Sequence, residues 1–202
     1  MSTEILPPAF FIVGLNLVGR TCVVIGDDGE AERKAAALLE VGATLRRVRD
    51  AATLRDADFE DAFLVISTPQ DSALSARLRD RAEQQRFLLC CIDQPHYGFV
   101  AMQAVVAAGA ARIGISTGGV APRVGKLLKE ALQGALDSRF ARFVACHGAV
   151  RRRVRRAGAD AAQRRAAMLA LSRGFEVDVK VRYPAWFEEA ERARRPSVQS
   201  ES

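Results

Sequence analysis

The stretch VVIGDDGEAERKAAALLEVGA, Val23 to Ala43, decides the fold. It continues the apolar run that starts at Thr21 and is cut by Gly26. A short polar turn follows, and then an Ala/Leu-rich stretch, Glu30–Glu40, with helical spacing. Strand, tight turn and helix in this order form the layout of a dinucleotide-binding turn. The free N–H groups and positive dipole end of the helix suit a phosphate, and glycines let the backbone come close to it. Against the pattern G-x-G-x-x-G/A, Gly26 holds the first position and Ala31 the third, while Asp28 fills the second. Gly29 adds one permissive position. An acid at the point of closest approach repels phosphate, and Asp27 and Glu30 add to that; Arg33 and Lys34, one turn on, offset part of it. The other reading is that these acids complement the helix dipole.

A second acid belongs at the end of the next strand, about 20 residues on, to hold ribose hydroxyls. In LRRVRDAA that place falls on Asp50. An acid there points to NAD, whereas the neighbouring Arg46, Arg47 and Arg49 could take a 2′-phosphate.

Outward from this segment the chain alternates. Apolar strand-like runs are Thr21–Ile25, Ala43–Val48, Ala62–Ser67, Phe87–Ile92 and Arg112–Ser116. Helix-like stretches are Glu30–Glu40, Gln70–Gln84, Tyr97–Ala108 and Ala121–Leu136. Such alternation predicts an α/β fold with a Rossmann-like, mainly parallel sheet, and strands apolar along their whole length suit a sheet covered on both faces. From Asp137 Arg and Ala dominate, and Phe140, Phe143, Val144, His147 and Val150 recur at helical spacing. Helices are expected over Ala159–Leu171 and Tyr183–Ala193. The expected organisation is a Rossmann-like domain over 1–120, a helical dimerisation and substrate region over 121–195, and a frayed tail, 196–202. The apolar stripes of the helical region call for a partner surface, so a homodimer is expected.

The 202 residues are 49% apolar and 27% charged, ordinary for a protein with a sizeable core. No apolar run reaches the roughly 20 residues that cross a bilayer, and the start, MSTEILPPAFF, lacks the basic region of a secretory signal. Cys22, Cys90, Cys91 and Cys146 form no C-x-x-C pair, which is read as a reducing cytoplasm with no structural metal. From Asp137 onward 15 Lys/Arg face 8 Asp/Glu, a net of +7; the chain's total of 30 and 24 leaves 15 and 16, a net of −1, before it. The run Arg151-Arg-Arg-Val-Arg-Arg156 could bind a polyanion or form a solvated helix face. Aromatic residues near it are few, so nucleic acid is not expected as a partner.

Two further segments carry chemistry. RFLLCCIDQPHYGF ends an apolar strand in Asp93, at the carboxyl edge where α/β folds bind ligands. A partly desolvated carboxylate suits acid/base work; the alternative is a turn or cap of the Asp-x-Pro type. His96, three residues on, is a candidate partner for it, whereas His147 lies on an apolar helical stripe and reads as packed. In ARIGISTGGVAPRVGKLLKEAL, Ser116, Thr117, Gly118 and Gly119 bring hydroxyls and backbone N–H groups before a Pro-started helix. This is an anion nest, or a glycine-containing connecting loop.

In this order the segments resemble the siroheme synthase N-terminal module, the precorrin-2 dehydrogenase and sirohydrochlorin ferrochelatase family. NLVGRTCVVIG, Asn16–Gly26, is similar to the family's opening L-x-G-R-x-x-x-V-V-G. GEAERKAAALLEVGA, Gly29–Ala43, is similar to V-A-x-R-K-x-x-x-L-L-x-x-G-A. FLLCCIDQPHYGF, Phe87–Phe99, resembles the strand ending N-V-V-D-x-P. IGISTGGVAPRVGKLLKEAL, Ile113–Leu132, matches I-A-I-S-T-G-G-x-S-P-x-L-A-x-x-L-R-x-x-L and is the most specific of the four. QRRAAML is similar to the family's dimerisation helices.

The resemblance implies NAD-dependent oxidation of precorrin-2 to sirohydrochlorin and, in some members, insertion of Fe²⁺. It puts the catalytic aspartate on Asp93 and the NAD contacts on Gly29 and Glu30 and on Asp50 and Ala51, which join Gly26 and Asp28 of the glycine pattern as the candidate cofactor residues. A carboxylate-rich tetrapyrrole would meet Ser116–Gly119 and His96. Departures lie on the cofactor side: Gly26-Asp27-Asp28 for a run of glycines, a shortened bridge Ala51–Ala62, Ser75 for an asparagine, and Met102 for a proline. They leave a second reading, a member that has lost NAD binding and serves as a tetrapyrrole chelatase or carrier.

Overall fold

The computed structural model describes residues 10–194; the expected frayed tail, 196–202, lies outside the described residues. The chain divides into two compact units, Met1–Ala145 and Cys146–Ser202. The sequence placed its boundary at residue 120, where strands give way to helices; the division by contacts falls later, inside a helix.

The first unit is built on β1 (Thr21–Ile25), α1 (Gly29–Glu40), β2 (Thr44–Val48), β3 (Ala62–Ser67), α2 (Ser72–Gln85) and β4 (Leu88–Cys91). The four strands form one parallel sheet in the order β2-β1-β3-β4. Period two sorts β1 onto two faces. Val23 and Ile25 pack with Leu74, Leu78 and Ala82 of α2, and Cys22 and Val24 pack with Ala31 and Leu38 of α1. Helices therefore cover both faces, which is why the strands are apolar throughout.

The short bridge between β2 and β3 forms two single 3₁₀ turns, Ala51–Thr53 and Asp56–Phe59. Phe59 is buried and stacks on Phe87 with ring centroids 5.6 Å apart, a burial that stabilises by roughly 1.5–3 kcal/mol. The Arg46 guanidinium donates to the carbonyls of Ala57 and Asp58 at 3.0 and 2.8 Å and so fastens the bridge to β2. Arg46 is thus turned away from any ribose beside Asp50.

The sequence expectation fails after β4. Tyr97–Ala108 does not form a helix: Ala104–Ala108 is a strand, β5, paired antiparallel with β6 (Ala111–Ile115) in a separate two-stranded sheet. The expected fifth strand of the parallel sheet is therefore the second arm of a hairpin. The adjacent β-branched Val105 and Val106 favour the extended chain, and their exposures alternate, with Val105 exposed and Val106 buried. Gly109, at φ +59°, opens the two-residue turn in the manner of type II′. The helix α3 (Pro122–Ala135) closes the hairpin's free edge, because the Gln133 side-chain amide accepts from the Ala107 N–H at 3.1 Å and donates to its carbonyl at 2.9 Å.

Three helices follow: α4 (Ser138–Arg156), which contains the division between the units, α5 (Ala161–Ser172) and α6 (Ala185–Arg194). The second unit has no fully buried side chain among its described residues. No helix of the described residues is long and apolar enough to cross a membrane.

Candidate active site

The chain leaves β1 for β2 on one side and returns to β3 on the other, so the topological switch lies between β1 and β3. Outside the carboxyl ends of such strands a crevice opens, and ligands of doubly wound folds bind there. Three backbone bonds set its floor: Gly26 N–H to Val48 O at 2.9 Å, Thr68 N–H to Ile25 O at 3.1 Å, and Ile92 N–H to Ser67 O at 2.9 Å. They place Gly26, Thr68 and Asp93 at neighbouring strand ends. Gly26 has φ +125°, and a Cβ on it would run into the Thr68 hydroxyl. Only glycine serves at this close approach.

Asp28 occupies the helix terminus, the kind of place where a phosphate binds. It is the N-cap of α1, and its carboxylate accepts from the Ala31 N–H at 2.7 Å. The Ala31 N–H, then the Thr68 hydroxyl, hold the Asp28 carboxyl below the usual carboxylate range. The Thr68 hydroxyl also lies 3.4 Å from the Ile25 carbonyl. Its single proton favours the charged acceptor, because bonds to an ionised partner are the stronger ones.

The charges around the turn neutralise one another. Glu30 pairs with Arg33 and with Lys34, the latter at 3.1 Å. Arg49 reaches Asp27 at 2.7 Å and Glu32 at 3.1 Å, and Arg47 reaches Glu32 at 2.9 Å. Arg47 also donates to the carbonyls of Gly26 and Ala31, at 3.0 and 2.7 Å, and locks the turn to β2. Asp50, exposed at the end of β2, accepts from the Ala52 N–H at 2.8 Å and caps the first 3₁₀ turn, with Ala51 beside it.

The residues fit a dinucleotide in part. The glycine cradle, the helix and an acid at the end of β2 are present, and the pyrophosphate would have to take the Ala31 N–H from Asp28. That exchange is of one anionic acceptor for another, on an exposed side chain.

Asp93 follows β4 with φ +60°, a left-handed conformation that aspartate tolerates better than most residues. Its Oδ2 accepts from Gln70 Nε2 at 3.2 Å. The next residue, Gln94, is tied to the start of α2: Ser75 Oγ donates to its Oε1 at 2.6 Å, and its Nε2 donates to Ser72 Oγ at 3.3 Å. Ser75 is buried and supplies this anchoring hydrogen bond. Asp93 is exposed, so the described residues do not supply the desolvation that the sequence reading considered. The expected partner is also replaced. His96 stacks on Tyr97 with centroids 4.2 Å apart, and no hydrogen bond joins it to Asp93 among the described residues. Gln70 and Thr68, in the loop after β3, went unmarked in the sequence; their place directly after a parallel strand was the available signal.

The Ser116–Gly119 turn follows β6 and precedes α3, whose N-cap, Ala121, has no side-chain acceptor. Gly118 and Gly119 have φ of +62° and +80°. The Gly118 N–H already donates to Ser116 Oγ at 3.2 Å. No hydrogen bond joins this turn to Asp93 among the described residues. Nor does any group of three or more His, Cys, Asp or Glu among them stand ready to hold a metal.

The strand order, glycine cradle and crevice define a Rossmann-like α/β protein. Residues 13–104 match the model of a family described as putative NAD(P)-binding. A siroheme synthase 2 of Cronobacter sakazakii is 27% identical over 164 residues, 72% of this chain and 36% of that protein. A siroheme synthase of Salmonella typhimurium is 27% identical over 168 residues, 74% of this chain and 37% of that protein. The chain thus spans little more than a third of the length of these relatives. Among solved structures, SirC, a precorrin-2 dehydrogenase, superposes with a TM-score of 0.64 at 19% identity, over 80% of this chain and 89% of that one. These similarities agree with the resemblance read from the sequence, to the siroheme synthase N-terminal module.

Proposed function

We propose that the chain oxidises precorrin-2 to sirohydrochlorin with NAD, and that Asp93 is the base. The observation that carries this reading is Asp93 itself, set at the carboxyl end of β4 in a left-handed conformation and anchored through Gln70 and Gln94. NAD would lie over Gly26 and Gly29, with Glu30 beside the turn and Asp50 and Ala51 at the ribose, and supplies the hydride acceptor. Gln70 occupies Oδ2 of Asp93, which leaves Oδ1 to take the substrate proton. The Ser116–Gly119 turn, which leads into a helix whose N-cap has no side-chain acceptor, and His96 are the proposed contacts for substrate carboxylates. A dimer and a cytoplasmic setting belong to the same proposal, as does Fe²⁺ as a second substrate.

The test is anaerobic conversion of precorrin-2, followed by absorbance, in the parent chain and in Asp93→Asn. Asparagine keeps the left-handed backbone, so the variant should fold. Its rate should fall by roughly 10²–10⁴-fold, the usual contribution of a general base. Undiminished turnover in the variant sinks the assignment. The occupied helix terminus at Asp28 favours a second reading, a tetrapyrrole chelatase or carrier without NAD. A folded parent chain that binds sirohydrochlorin and gives no signal in an NADH titration would establish that reading instead.

A further inference from the structure

Residues 175–184, between α5 and α6, form neither helix nor sheet. Their sequence nevertheless has the strict period of a strand: Phe175-Glu-Val177-Asp-Val179-Lys-Val181-Arg-Tyr183. Apolar and charged residues alternate at every step, which puts the apolar ones on one face of an extended chain. Valines and aromatic residues favour that conformation. The three valines stand in solvent, with Val177 at 65%, Val179 at 66% and Val181 at 57% exposure, while Tyr183 packs on Phe187 at 5.2 Å between centroids. Glu176, Asp178, Lys180 and Arg182 have no ion-pair partner among the described residues.

The order of the charges singles out an occupant. Reading along the chain they run acid, acid, base, base, so the segment is complementary to its own reverse. Laid antiparallel on a second copy about Val179, Glu176 faces Arg182 and Asp178 faces Lys180, each twice by symmetry. On the other face Phe175 meets Tyr183, Val177 meets Val181, and Val179 meets itself. Parallel pairing in register would instead put every charge on its like, which is destabilising.

We propose that residues 175–183 form an antiparallel strand pair with the same segment of a second copy of this chain, about a two-fold axis through Val179. Such a contact is isologous, and backbone hydrogen bonds supply its affinity while the alternating side chains fix its register. A two-stranded ribbon is marginal alone, so the pairing is best read by trapping it.

The test uses the full chain with Cys146→Ser, which removes the exposed thiol. Opposed residues of an antiparallel pair have Cα atoms about 4.5–5.5 Å apart, within disulfide reach. Val179→Cys should therefore cross-link to a covalent dimer under mild oxidation. Lys180→Cys should cross-link poorly, because its counterpart lies diagonally away on the ribbon. Adding Asp178→Lys to Val179→Cys should weaken self-association about tenfold, since symmetry makes one reversal count at two pairs. Adding Asp178→Lys with Lys180→Asp should restore it. All of these residues are exposed, so the variants test pairing rather than folding. Absence of the Val179→Cys dimer, equal cross-linking by Lys180→Cys, or failure of the double reversal to restore would each overturn the proposal. The first of these would leave another protein as the strand's partner.

Discussion

Replacing Asp28 by asparagine separates two roles that aspartate plays at the mouth of the crevice. As N-cap of α1 it accepts from the Ala31 N–H, and asparagine caps a helix about as well. As a charge it stands where a pyrophosphate would accept the same N–H. Two groups sharing one donor lie about 4 Å apart, and even in water one charge pair at that distance shifts an equilibrium about fivefold. A pyrophosphate carries two charges, so Asp28→Asn should tighten NAD or NADH by about tenfold or more at low salt. The gain should fade near 1 M salt, where the screening length is only about 3 Å. Tm should barely move for asparagine and should fall for Asp28→Ala, which loses the cap. The assay is a fluorescence titration with NADH at two ionic strengths, beside a thermal melt. An asparagine variant that keeps its Tm and binds NADH indistinguishably from the parent would refute the claim that Asp28 occupies the pyrophosphate's place.

Gly26→Ala should destabilise by about 2–5 kcal/mol, from a strained positive φ and from a Cβ set against the Thr68 hydroxyl; a fall in Tm of roughly 5–15 °C would show it, and an unchanged melt would contradict the geometry. Thiol labelling of the native chain at mildly alkaline pH should modify Cys146 alone. Burial raises the thiols of Cys22 and Cys91 and pushes Cys90 up to about 11, so those three should react only on unfolding. The carboxyls of Asp28, Glu30 and Asp137 are all held below their usual range, by the Ala31 N–H, Arg33 and the Phe140 N–H in turn. Depressed carboxylates stabilise above the unfolded value and lose that contribution as pH falls through the folded one. The Tm gap between the parent and Asp28→Ala should therefore be widest near neutrality and close in acid; a gap independent of pH would show that the charge plays no part.

The sequence by itself determined the parallel core. The apolar runs at β1, β3 and β4 can be satisfied only between two helical layers, and the helices supply matching stripes. It also marked Gly26, Asp50 and Asp93, because an abrupt change from apolar to polar at the end of a parallel strand is where a crevice must open. Asp28 was legible as an intruder in the glycine pattern. That it caps α1, and draws on Thr68, depended on β3 lying beside β1, a contact between residues 40 apart in the chain. The hairpin at β5 and β6 reads in the sequence as a helix followed by a parallel strand. Ala and Val in short runs satisfy either period, and what decided the outcome was a pairing partner together with the Gln133 amide on the hairpin edge. His96 fails as the partner of Asp93 for a similar reason: proximity in sequence does not aim a side chain, and the loop after β3 brings Gln70 there instead. Periodicity records which face of an element is dry. Which polar groups meet across a crevice is set by the order of strands, and that order exists only once the sheet has formed.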